Sequence, residues 1–243
     1  MNEDKAQLAA TEAQTVLNVA LGAERVQQVQ HLIGGSHSQA LSCKLDGCEC
    51  VIRLRDDNQG FLLDQFVGEN FAGQLPIPRA LAIGHFGQGL FYCITERAKG
   101  HNLALSDDRC TKLSVLSNLF DVMDTIYSAD MTGTNFGRLV NGRTFESWSQ
   151  FILAIKDDYQ WEKLYAETLL KPDVVERAIG KLEDLIVFLP EEHRLVHGDL
   201  ADYNVICDGP KLTGLIDWEY AICGDPLYDM ALSRAGQIRA GQI

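Results

Sequence analysis

A chain of 243 residues that is 46% hydrophobic and 23% charged can build one good core or two small lobes, and is too apolar for a disordered segment. Asp and Glu outnumber Lys and Arg by 34 to 21, giving a net charge of −13 that argues against the clustered basic surface that nucleic-acid phosphates need. Seven Cys, no secretory pattern after Met1 and no apolar run of membrane-spanning length point to a cytoplasmic protein with reduced thiols and no membrane span; a monomer is the expectation.

Residues 4–21 are rich in Ala, Gln, Glu and Leu. Leu8, Thr11, Thr15 and Val19 recur at helical spacing, and Gly22 supplies the stop. Residues 25–33 alternate as a strand, Gly34 to Ser38 form a turn, and 40–45 make a second strand. Asp46-Gly47 is a tight hairpin signal, and 49–54 make a third strand. Cys43, Cys48 and Cys50 have the spacing C-x4-C-x-C, which is not a zinc pattern and has no His to complete it.

A helix is predicted over 58–72, with Phe61, Leu62, Phe66 and Phe71 on its apolar face and Asp64 and Glu69 as its acids. Leu75-Pro76-Ile77-Pro78 is extended, because Pro restricts itself and its predecessor. Residues 79–84 and 90–95 form a hairpin around Gly87-Gln88-Gly89. The spacing of Leu113, Leu116, Phe120, Met123 and Tyr127 predicts a long amphipathic helix over 107–129 as core scaffold. Residues 131–141 read as a loop. Thr144 opens a helix whose apolar face is Trp148, Phe151, Ile152 and Ile155. A further segment covers 159–170, and Pro172 fits the first turn of a helix reaching Phe188. Asp157 and Asp158 read as a solvated helix end rather than as contacts for a cationic substrate.

The most informative stretch is LVHGDLADYNVICDGPKLTGLIDWEYAICGDPLYD, residues 195–229. It reads as strand, polar loop, short hairpin, polar loop and helix start. Asp199 follows the strand, Asn204 comes five residues later, and Asp217 ends the hairpin. Two carboxylates and an amide thus reach one end of a small sheet. Hard oxygen donors in that number suit Mg²⁺, which is held by a few protein oxygens together with phosphate oxygens. The order His197-Gly198-Asp199, Asn204, Asp217 follows a protein-kinase catalytic loop and its metal-binding Asp. In that chemistry an Asp takes the proton of the attacking hydroxyl, and an Asn and a second Asp hold the metal. Asp199 is therefore the candidate base, with Asn204 and Asp217 as metal ligands. His197 braces the loop through hydrogen bonds. Asp202 either meets a substrate ammonium or turns the loop, Glu219 faces the cleft, and Asp225 caps the next helix.

Strand, Gly-Ser turn, strand, hairpin and strand is also how a kinase-like N-lobe begins. In that setting the 34–38 turn, with Ser36 at its centre, would cover ATP phosphates with backbone N–H groups. Arg53 in C-V-I-R-L occupies the third-strand position where kinases carry a Lys that pairs with phosphates and with an acid on the next helix. Arg can fork two phosphate oxygens. Asp64 is the chosen acid.

Two departures from the protein-kinase loop, Gly198 for its Arg and Trp218-Glu219 for its Phe-Gly, give HGDxxxxN followed by IDWE and GDPLYD. This series resembles the aminoglycoside phosphotransferase family of small-molecule kinases. The segment LPIPRALAIGHFGQGLFYCITERAKG is similar to the hygromycin B phosphotransferase branch of that family. The resemblance implies an α+β, two-lobed, protein-kinase-like fold: an N-terminal nucleotide-binding lobe over 1–98 and a helical C-terminal lobe over 99–243. The catalytic loop would be 197–204 and the metal loop 217–219, with a hinge at 95–100 whose backbone near Glu96 and Ala98 would bond the adenine.

It further implies transfer of the ATP γ-phosphate, with Mg²⁺, to a hydroxyl of a polycationic aminoglycoside such as hygromycin B, and hence antibiotic resistance. Related kinases act on other small amines and alcohols. Fourteen residues follow Asp229 and end in RAGQI twice over, a C-terminus shorter than the family norm. A nucleotide-binding relative without activity is therefore the alternative reading.

Overall fold

The computed structural model describes residues 10–22, 25–32, 39–87 and 89–232. Their contacts divide the chain into two compact units, Met1–Val122 with Ala201–Glu219, and Met123–Leu200 with Tyr220–Ile243. The chain passes from one unit to the other within the 195–229 stretch, after Leu200 and after Glu219.

The first unit opens with α1 (Ala10–Leu21) and an antiparallel sheet of β1 (Val26–His31), β2 (Gln39–Leu45), β3 (Cys48–Arg55), β4 (Ala80–Gly87) and β5 (Leu90–Glu96), in the order β1-β2-β3-β5-β4. Helix α2 (Gln59–Phe71) joins β3 to β4. Asp46 and Gly47 both take positive φ, 51° and 85°, as a two-residue hairpin whose twist matches its strands demands. Alternation along β2 and β3 sends Leu41, Cys43, Ile52 and Leu54 inward, where Ala13 and Leu17 of α1 complete the core. Burial pushes the Cys43 thiol up to about 12, so it behaves as a small hydrophobe. No cluster of His, Cys, Asp and Glu fit to hold a metal occurs among the described residues.

After β6 (His101–Asn102), helix α3 (Arg109–Ser128) runs to the second unit. That unit carries β7 (Phe136–Arg138), β8 (Thr144–Phe145), α4 (Trp148–Leu153), α5 (Ile155–Asp158), α6 (Trp161–Glu167), α7 (Pro172–Leu185) and β9 (Arg194–Val196). The hairpin β10 (Val205–Asp208) and β11 (Lys211–Leu215) belongs to the first unit, where β6 extends it into a sheet of order β11-β10-β6. Strand β12 (Ile222–Gly224) closes a second-unit sheet of order β8-β7-β12-β9 over a core of Phe136, Trp148, Val196 and Ile222.

Four local readings change. On α1 the buried positions are Ala13 and Leu17, while Val19 is 81% exposed; two Thr had set the predicted phase, and the sheet selected aliphatic side chains instead. On α3, Leu113 and Phe120 are 58% and 64% exposed, and Val115 and Ile126 are buried in their place. Residues 136–138, read as loop, pair with β12. Residues 144–145, read as helix, form β8, because Ser147 accepts the Gln150 N–H at 3.1 Å and fixes the helix start at Trp148.

Candidate active site

In the first unit β3 carries Arg53, which donates to the Asp64 carboxylate of α2 and sits with its guanidinium carbon 5.3 Å over the Phe61 ring. Asp64 is buried and also accepts the Trp218 N–H at 2.9 Å. One acid thus fixes both the arginine and the backbone just after Asp217. The Arg53 guanidinium lies 3.7 Å from the Asp217 carboxylate. Glu69, the other acid of α2, instead accepts from Gln65 on the exposed face.

Hairpin register brings the metal-ligand candidates together. Val205 of β10 pairs with Leu215 of β11, and the Ile216 N–H donates to the Asn204 carbonyl at 3.0 Å. Leu215 N–H is anchored on Pro76 O at 2.8 Å. Asn204 is buried, and Asp217 follows with φ 66°, a left-handed conformation that Asp tolerates better than most residues. Asn204 and Asp217 are hard oxygen donors on neighbouring strand ends. They fit the two-ligand, phosphate-completed coordination of Mg²⁺, which needs no closed protein cage.

Glu219 does not face an open cleft. Its carboxylate is buried and receives the Arg55 guanidinium. Arg55 lies two residues after Arg53 on the same face of β3, so strand periodicity held a signal for this pair. Asp202 is exposed and opens the turn in which Asn204 N–H donates to Ala201 O at 2.9 Å. The Glu96 N–H donates to Arg79 O at 3.0 Å and is thereby taken. Ala98 follows the end of β5 in the first unit. The 34–38 turn with Ser36 lies outside the described residues.

In the second unit β9 delivers His197, Gly198 and Asp199. His197 is buried and its Nδ1 accepts the Asp199 N–H at 3.2 Å, so it braces the loop. Gly198 has φ +82°, and a Cβ there would meet Tyr220 O at 2.2 Å. That close approach is why Gly stands where the protein-kinase loop has Arg.

Sequence reading missed Asp229, the last residue of GDPLYD. It is fully buried, and its two carboxylate oxygens accept the N–H groups of His197 at 2.9 Å and Gly198 at 2.7 Å. Burial pushes the Asp229 carboxyl up to about 6; the two N–H groups pull it back and the Asp199 charge adds to the rise. The Tyr127 hydroxyl is buried with no hydrogen-bond partner among the described residues, and burial together with the Asp229 charge raises its pKa. Asp225 accepts the Leu227 N–H at 2.9 Å and caps the helical turn at 227–232. Asp158 pairs with Arg143 at the surface.

The chain matches known proteins in sequence and in fold. The model of the phosphotransferase enzyme family, APH, matches residues 62–239. The chain belongs to this phosphotransferase family. It is 35% identical over 216 residues to hygromycin-B 4-O-kinase of Escherichia coli, a match covering 86% of this chain and 62% of that protein. The chain therefore spans less than two thirds of this curated relative. The crystal structure of aminoglycoside phosphotransferase APH(4)-Ia superposes with a TM-score of 0.76 at 30% identity, over 96% of this chain and 84% of the other. A thermostable mutant of that enzyme, in ternary complex with ADP and hygromycin B, gives 0.75 at 33%, over 90% and 75%. A putative fructosamine-3-kinase from Haemophilus somnus, at 15% identity, shares the fold with a TM-score of 0.66 over 90% and 74%. The family fold is thus α+β and kinase-like, and none of the described helices is long and apolar enough to cross a membrane.

Proposed function

We propose that the chain is a cytoplasmic, monomeric ATP-dependent O-phosphotransferase that moves the γ-phosphoryl group to a hydroxyl of hygromycin B or a close aminoglycoside, and so confers resistance to it. The observation that carries this reading is the link from Arg53 through Asp64 to the backbone beside Asp217, with Asn204 on the adjoining strand end. That arrangement suits a triphosphate and its metal.

Asp199 would accept the proton of the acceptor hydroxyl. A bond forms from that oxygen to the γ-phosphorus, the bond to the β–γ bridging oxygen breaks, and ADP leaves with the electron pair. Asn204 and Asp217 would hold Mg²⁺, whose chemistry is to neutralise charge on the phosphate oxygens. Arg53 holds phosphate oxygens with its fork while Asp64 fixes its direction. His197 and Asp229 hold the loop from which Asp199 acts. The relatives named for hygromycin B support the acceptor class. The test is ATP consumption with Mg²⁺ across an aminoglycoside panel led by hygromycin B. Turnover confined to an unrelated small alcohol or amine would replace the acceptor, and nucleotide binding without turnover on any of them would replace the enzyme reading.

A further inference from the structure

We infer that a small cavity in the second unit, beside the loop of His197–Asp199, binds a neutral hydroxyl-bearing ring of the acceptor and reads it through Arg138; this rests on the phosphotransferase reading. The cavity measures about 130 Å³ and is lined by Arg138, Phe151, Gly198, Tyr220, Ile222 and Tyr228. A dry cavity of about 150 Å³ holds one benzene, and drug-sized pockets start at about 300 Å³, so this cavity, which is open on one side, admits one face of a single hydroxylated ring and leaves the rest of that ring outside.

Arg138 ends β7 opposite Ile222 of β12. Its stem is clamped: a Cβ on Gly142 would come within 2.3 Å of the Arg138 side chain. Among the described residues no carboxylate lies within ion-pair distance of Arg138. The other half-buried arginines, Arg53, Arg55 and Arg194, each have at least one. In a chain of net charge −13, a half-buried guanidinium without an acid is available to ligand oxygens. Its planar fork matches two neighbouring oxygens and repels an ammonium. Phe151 and Tyr228, with centroids 6.0 Å apart at 65°, offer aromatic surface to the C–H face of a ring. Tyr220 is half exposed and adds a further ring to the lining. The ligand chemistry is therefore a ring with vicinal hydroxyls and no amine, and the amines of the acceptor stay outside this cavity.

Ligand-observed NMR with two probes tests this without turnover. Galactose is expected to bind, and galactosamine, which carries an ammonium on the same ring, at least tenfold more weakly. Arg138→Met keeps the stem length and loses the fork; it should abolish galactose binding with an unchanged melting temperature. Arg138→Lys, which keeps the charge, covers the case in which the Met variant does not fold, and should weaken galactose binding several-fold. Equal binding of the two sugars, binding of neither, or galactose binding unaffected by both variants would overturn the inference. In kinetics both variants should raise KM for hygromycin B at least tenfold while KM for ATP stays within twofold. Absence of wild-type turnover would fault the phosphotransferase reading, whereas the sugar-binding results judge the cavity on their own.

Discussion

Asp199 and Arg53 make opposite kinds of prediction. General-base catalysis contributes about 10²–10⁴-fold, so Asp199→Asn should reduce kcat by that order while Mg-ATP affinity, read by calorimetry, stays near the wild-type value. Near wild-type turnover would show that another group takes the proton. Arg53 is clamped by Asp64 and lies 3.7 Å from Asp217, so Arg53→Ala should raise KM for ATP far more than KM for the acceptor. The reverse split would remove Arg53 from the phosphate site. The bracing by His197 was legible as a residue type at a fixed spacing. Its Asp229 partner was not, since an Asp after Leu-Tyr on a helix turn reads as a solvated acid until packing shows it fully buried.

At the scale of elements, the hairpin of β10 and β11 was legible because its turn residues and alternating apolar positions agree, and its register then places Asn204 beside Ile216. The faces of α1 and α3 were misread, because helical spacing shows that a stripe exists without saying which neighbour covers it. This gives a stability contrast on a single helix. Leu113→Lys should change unfolding free energy by less than about 0.5 kcal/mol, whereas Val115→Ala, fully buried two residues on, should cost about 1–3 kcal/mol in urea denaturation. Equal costs would mean that Leu113 is covered in solution. In the loop after β9, Gly198→Ala combines a positive φ with a carbonyl 2.2 Å from the new Cβ. The expected outcome is loss of turnover with a folded first unit that still binds nucleotide.

For the whole molecule, pH joins stability to activity. The Asp229 carboxyl titrates at about 6 in the fold against an ordinary 3.8. The folded chain holds this proton more tightly than the unfolded one, so between about pH 4 and 6 the Asp229 contribution to stability falls as pH rises. The shift of roughly two units amounts to about 3 kcal/mol at neutral pH. Under the proposed function the charge has a use: ionised, Asp229 accepts both N–H groups of the loop that bears Asp199. The rate should therefore fall as pH drops through about 6 while the fold persists. A pH–rate profile flat from 7 to 5, with the protein folded, would contradict this.

Phosphoryl transfer to the antibiotic can be read directly. Purified protein, Mg-ATP and hygromycin B are incubated, and the antibiotic is examined by mass spectrometry, with Asp199→Asn run alongside. One added phosphoryl group on hygromycin B is expected with the wild-type chain, and at least a hundredfold less with the variant. Tight Mg-ATP binding with no phosphorylated antibiotic, or equal product from both proteins, would contradict it.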